Sequence, residues 1–226
     1  MDIINGHTLY NGNNTPILDK LITDGIKVDS IITDPPYGMN FRSNHRGKKY
    51  KNIENDHSLY WLGWFTKQCY DIAKDNSGHF IFCSYHNIDI FKQSFERYFE
   101  IKNILVWEKN KTSMGDLKGN FAPKVEFILF ITKGRPLLRG SRSPNIFKYA
   151  GTQNKLHPTQ KPVPLMEHLI SKMTDKGDLI LDPFMGSGST ILAADNLGRK
   201  SIGIELDADY YKTAKDRLEN NVSFLD

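Results

Sequence analysis

Thr33-Asp34-Pro35-Pro36-Tyr37 sets an acid, two prolines and an aromatic ring in succession at the end of the apolar run Val28 to Thr33. The prolines stiffen the turn and leave carbonyls without competing N–H donors of their own. A carboxylate and a fixed carbonyl can accept the two N–H bonds of a planar amino group while a ring stacks on it. An ordinary strand-ending turn, with Tyr37 merely packed beside it, fits the same residues, because short motifs match readily by chance.

A second strand end carries chemistry of another kind. Leu179-Ile180-Leu181 runs into Asp182-Pro183-Phe184-Met185-Gly186-Ser187-Gly188, and Ser189-Thr190 opens a helix. Glycines at 186 and 188 let backbone approach a ligand closely, and a helix N-terminus offers unpaired N–H groups. A dinucleotide fingerprint would need a third glycine where Ile191 stands, and a P-loop would need a Gly-Lys-Ser/Thr ending. Glu205 closes the next apolar run, where a carboxylate can accept hydrogen bonds from ribose hydroxyls. Together these features suggest an adenosine-containing cofactor without a required pyrophosphate. Gly-x-Gly alone would be an ordinary tight turn; Glu205 is what moves the reading.

The elements that must position these residues follow an α/β rhythm. Short apolar runs alternate with amphipathic stretches, as in a mostly parallel sheet flanked by helices. Thr15-Pro16 reads as a helix start. Leu59 to Lys74, Asn87 to Phe99, a stretch around Val163 to Met173, Ser189 to Leu197 and a stretch through Tyr211 to Leu218 read as helices. Val28 to Thr33, His79 to Cys83, Ile101 to Trp107, Val125 to Ile131, Asp178 to Leu181 and Lys200 to Glu205 read as strands. Gly198 is suited to a left-handed helix cap. Residues 38–58 carry little periodicity and predict a long mobile loop. Residues 133–157 show no helical period.

The 226 residues, 39% hydrophobic and 25% charged, suit one domain and argue against a disordered chain. No apolar run is long enough to span a membrane, and Met1 to Asn5 shows no secretory signal. Cys69 and Cys83 lack metal-ligand spacing and read as buried free thiols of a cytoplasmic protein. Net charge is +4, but Trp107 to Lys161 holds eleven Lys/Arg against three acids. A second basic stretch contains Arg42, Arg46, Lys48, Lys49 and Lys51. These are two solvated loops or two clusters suited to a phosphate backbone; charge alone does not decide.

The two motifs, in this order, resemble the signatures of DNA amino-methyltransferases of the permuted β group, in which the catalytic motif precedes the methyl-donor motif. His157-Pro158-Thr159-Gln160-Lys161-Pro162 resembles that group's further donor-binding motif. The resemblance covers most of the chain and thins across 38–58 and 108–155. It implies a Rossmann-like methyltransferase fold in one domain over 1–226, with 108–155 as a target-recognition insertion. The family often carries an acid near the donor's adenine, where this sequence has Asn5-Gly6-His7-Thr8; His7 or Thr8 takes that contact, or the correspondence slips there.

By the same resemblance, S-adenosylmethionine is the methyl donor, no metal is needed, and the reaction methylates N6 of a flipped adenine in DNA. Asp34, Pro35, Pro36 and Tyr37 are then the catalytic residues. Asp182, Phe184, Gly186, Gly188, Glu205, Thr159, Gln160 and Lys161 hold the donor, the last three at its methionine carboxylate end. Arg42, Arg46, Lys48, Lys49 and Lys51 reach phosphates, and Arg139 or Arg142 reads a base edge. The competing readings are N4-cytosine methylation, RNA methylation and a DNA-binding homologue without catalysis. Asp34 favours adenine, since cytosine enzymes usually carry Ser there. Motif order disfavours RNA, and the intact motifs disfavour loss of catalysis. The group's habits add a homodimer, a companion restriction endonuclease and a prokaryotic or phage origin as expectations.

Overall fold

Two short strands, β1 (Asp2–Ile4) and β2 (His7–Asn11), open the chain in the computed structural model, which describes residues 1–37, 59–112, 118–152, 156 and 159–221. They pair as a hairpin across Asn5 and Gly6, both at positive φ, the Asn-Gly turn that matches strand twist. There follow α1 (Asn14–Thr23), β3 (Ser30–Thr33), α2 (Leu62–Ile72), β4 (Ser77–Cys83), α3 (Ile88–Phe95), β5 (Glu100–Glu108), β6 (Val125–Lys133), β7 (Ile146–Lys148), α4 (Val163–Met173), β8 (Leu179–Asp182), α5 (Ser189–Asn196), β9 (Lys200–Glu205) and α6 (Ala208–Glu219). Asn13, not Thr15, caps α1, its side chain accepting from Thr15 N–H at 2.9 Å. β1, β2 and β7 are strands that the apolar pattern does not announce. Each is three to five residues long and lies at or near a sheet edge, where one-sided burial is slight.

Among the described residues the strands form one sheet in the order β1-β2-β9-β8-β3-β4-β6-β5-β7. β2, β9, β8, β3 and β4 run parallel; β1 and β6 run against their neighbours. Helices cover both faces. Leu18, Leu21, Phe65, Cys69, Ile72, Phe91 and Phe95 of α1–α3 pack with Ile31, and Leu165, Met166, Ala193 and Ala194 of α4 and α5 pack with Ile32. Successive residues of β3 therefore serve opposite cores, which is why all four are buried and Ile31 and Ile32 stand side by side without alternation.

β3 and β8 are neighbours, yet the chain leaves β3 toward β4 and leaves β8 toward β9, on opposite sides. This is a topological switch point, and ligands of open α/β sheets bind in the crevice beyond the strands' carboxyl ends there. Asp34 and Asp182 stand at those two ends. His79 reinforces the seam between β3 and β4: its Nδ1 accepts from Ile31 N–H at 3.0 Å and its Nε2 lies 3.0 Å from the Ser77 hydroxyl. Ser30 donates to the Gly78 carbonyl at 2.7 Å on the same seam.

Candidate active site

Asp182 ties the two strand ends together. One carboxylate oxygen accepts the Thr33 hydroxyl at 2.8 Å and Phe184 N–H at 3.1 Å; the other accepts the Thr190 hydroxyl at 2.6 Å. Burial pushes its pKa up to about 6, the three donors working against that rise. This residue, expected to hold the donor, thus first fixes β3, the turn after β8 and the start of α5.

The glycine turn is built for different reasons at its two glycines. Gly186, at φ 52, gives its N–H to Glu205 at 2.9 Å. Gly188 caps α5 at φ 78, and a Cβ there would lie 2.9 Å from the Ala214 Cβ of α6. Position 188 is therefore required by helix packing as well as by backbone conformation. Glu205 also accepts Asp207 N–H at 2.9 Å, so each oxygen has one backbone partner and a lone pair to spare. Burial raises its pKa to about 7. Phe184 forms an aromatic wall with Trp61 and Phe65, ring centroids 5.5 Å and 5.3 Å away. An acceptor with free lone pairs beside an aromatic wall and a tight turn fits a ligand bearing ribose hydroxyls and a planar ring. Trp61 was invisible to motif reading, because it belongs to no short pattern and only the fold brings it to Phe184.

On the other side of the switch point, Tyr37 donates its hydroxyl to Asp34 Oδ1, and Asn87 holds the Tyr37 carbonyl. The Tyr37 ring meets Phe91 edge-on at 6.4 Å. Asp34 Oδ2 pairs with Lys161, whose side chain is only 6% exposed. Lys161 Nζ also lies 3.2 Å from Glu126 Oε2 and 3.3 Å from the Thr159 carbonyl. Burial drives the Asp34 carboxyl upward and Lys161 opposes it. Glu126, on β6, has no sequence signature and enters the site only through the sheet.

The expected positions divide accordingly. Asp34, Pro35, Pro36 and Tyr37 sit together at the end of β3, and Asp182, Phe184, Gly186, Gly188 and Glu205 across the switch point from them. Lys161, expected at the donor, is drawn instead to Asp34, while Gln160 Oε1 accepts Leu156 N–H at 2.8 Å. His7 is buried, its ring nitrogens 2.7 Å from the Ser201 hydroxyl and 3.1 Å from Asp195, so it is a lock between β2, β9 and α5 rather than a contact to the donor's adenine. Arg139 and Arg142 are not at the site. β6 carries the chain to the amino edge of the sheet, where Arg139 pairs with Asp175 at 2.8 Å, ahead of β8. Arg142 lines a separate cavity of about 540 Å³ with His168 and Lys172 of α4. Arg42, Arg46, Lys48, Lys49 and Lys51 lie outside the described residues, as do His157 and Pro158. Much of the basic excess is spent internally: Lys109 pairs with Glu126, Lys124 and Lys148 with Glu108, and Lys133 with Asp75.

Residues 28–216 match the family model described as DNA methylase. M2.MboI, a type II methyltransferase of Moraxella bovis, is 32% identical, the alignment covering 92% of this chain and 86% of that protein. The solved complex of M1.HpyAVI with SAM superposes with a TM-score of 0.75 at 31% identity, covering 93% of this chain and 98% of that one. PvuII DNA methyltransferase, cytosine-N4-specific, shares the fold at a TM-score of 0.77 and 20% identity, covering 98% and 89%. The fold is that of the SAM-dependent methyltransferases. The chain belongs to the DNA methylase family, the group that methylates exocyclic amino nitrogens at N6 or N4.

Proposed function

We propose that this methyltransferase transfers a methyl group from S-adenosylmethionine to N6 of adenine in DNA, with the target base turned out of the duplex. The observation that carries the reading is Asp34-Pro35-Pro36-Tyr37 at the switch point, across from the Gly186–Glu205 cradle. S-adenosylmethionine supplies an electrophilic methyl group on a sulfonium. An amino lone pair delocalised into a base ring is a weak nucleophile. Asp34 and the Pro35 carbonyl accept its two N–H bonds, which favours tetrahedral geometry and localises the lone pair. As nitrogen gains the methyl it must lose a proton, and an ionised Asp34 stands where that proton is shed. Tyr37, with its hydroxyl on Asp34, presents its ring to the base. Extruding the base costs a few kcal/mol, which stacking and pocket hydrogen bonds offset in part. Glu205 serves the ribose, and Phe184 with Trp61 the planar end of the donor. The basic residues 42–51 supply phosphate contacts.

Adenine is favoured over cytosine by the acid at position 34. The test is modified-base sequencing of DNA from cells expressing the protein, with an Asp34→Ala control. N6-methyladenine at one sequence context is expected; N4-methylcytosine would overturn the choice of base, and unmodified DNA would overturn the activity.

A further inference from the structure

Lys161 Nζ donates to Asp34 Oδ2 and to the Thr159 carbonyl at 3.3 Å, and forms an ion pair with Glu126 Oε2 at 3.2 Å. Its ammonium also faces the Phe82 ring, 5.0 Å from the centroid. Asp34 in turn has both oxygens engaged, one by Tyr37 and one by Lys161. Each oxygen keeps a lone pair, so an amino group arriving at Asp34 is accepted by a carboxylate whose aim those two partners set. Tyr37 is fixed through its backbone and its ring, and Lys161 is flanked by a second carboxylate, Glu126.

We infer that Lys161 is a positioning residue for Asp34, holding its carboxylate ionised and aimed for the target amino group, with Glu126 anchoring the ammonium from its other side. The inference rests on the functional reading above and gives Lys161 and Glu126 a place in the same reaction. A buried carboxylate without a cation takes up a proton, and a protonated Asp34 could neither accept the full amino contact nor collect the departing proton. The groups facing Asp34 set the sign of every perturbation. Tyr37 of its own turn and Lys161 before α4 favour the ionised form. Glu126 of β6 disfavours it, and is itself held down, against its burial, by Lys161 and Lys109. Cys83 of β4 is a neutral thiol, pushed up to about 12 by burial and by these two acids. Asp182 of β8 feels Asp34 only weakly, through charge.

The readout is the Asp34 carboxyl resonance in 13C-aspartate-labelled protein, assigned by its loss in Asp34→Asn and followed through a pH titration. Lys161→Gln should move the midpoint to higher pH by about one unit or more, and Glu126→Gln should move it to lower pH. Lys161→Arg should restore the wild-type midpoint at least in part. Donor affinity by calorimetry should stay within about twofold in Lys161→Gln, while turnover at neutral pH falls about tenfold and recovers as pH rises. A merely structural lysine would not produce shifts of opposite sign in the two variants. An unmoved Asp34 midpoint in Lys161→Gln, or a tenfold loss of donor affinity with that midpoint unchanged, would overturn the inference. Should Lys161→Gln fail to fold, an unmoved midpoint in Glu126→Gln overturns it equally. A wild-type protein that binds donor but methylates no DNA would overturn the functional reading, and the titration would still judge Lys161.

Discussion

Each acid of the site is tuned by what surrounds it, and two predictions belong at that scale. Asp34→Ala should abolish methyl transfer and leave donor affinity nearly unchanged, since Glu205 and the glycine turn share no hydrogen bond with Asp34; calorimetry beside a tritiated-methyl assay measures both. Glu205 titrates near 7 because burial disfavours its charge. A donor whose ribose hydroxyls point at the carboxylate favours the ionised form, so binding should release protons and weaken as pH falls below 7. Calorimetry from pH 5 to 8 should show this slope in the wild type and a flatter one in Glu205→Gln. An identical slope in both would place the titrating group elsewhere.

At the scale of elements, the glycine turn and the β3–β4 seam carry the testable strain. Gly188→Ala must hold a side chain at φ 78 and press it to 3.2 Å from the Ala214 Cα, at a cost of about 1–3 kcal/mol. Thermal melts should drop, and Ala214→Gly should recover only the steric part. His79 is held neutral, its pKa lowered to about 3 by burial and, less, by Lys133. The unfolded chain binds that proton near 6.5, so this contribution is complete above 6.5 and is lost as pH falls toward 3. Asp182 and Glu205, with raised pKa values, act in the opposite direction, so the wild-type curve alone hides the effect. Relative to the wild type, His79→Gln should gain about 2 kcal/mol between pH 7 and pH 5 in urea melts. These elements also mark what sequence can reveal. The strands with two buried faces and the two strand-end motifs were legible because burial and turn chemistry write directly into residue type. Asn5-Gly6, read from sequence as part of a stretch near the donor's adenine, is a hairpin turn in the structure, and His7 after it is buried between β2, β9 and α5. Glu126, Trp61 and the true station of Lys161 were not legible, since each depends on which strands become neighbours.

For the whole molecule the governing fact is that β6 runs against the sheet. β5 ends and β6 begins at the carboxyl edge beside Asp34, whereas residues 134–145 turn at the amino edge. Arg139→Ala and Arg142→Ala should therefore leave DNA affinity and sequence choice unchanged, which filter binding on target and non-target duplexes would measure. The quadruple Arg46/Lys48/Lys49/Lys51→Ala variant should instead weaken all sequences alike. It should also flatten the slope of log affinity against log salt by about 0.9 for each phosphate that is no longer neutralised. An unchanged slope would remove these residues from the DNA surface.

The place of β3 at the centre of the sheet has a consequence for how the protein comes into being. Its partner on one side, β4, follows within the same half of the chain, but β8 lies some 150 residues downstream. A growing chain that has made β3, β4, β5 and β6 holds a central strand, with an isoleucine on each face and one edge open. That edge stays available to other chains until residues 179–182 arrive, because no charge or proline blocks it between Ser30 and Thr33. Production at low temperature or with slowed synthesis should shift the balance between soluble and aggregated protein through this one strand. Truncation before β8 should yield insoluble protein rather than a half-domain.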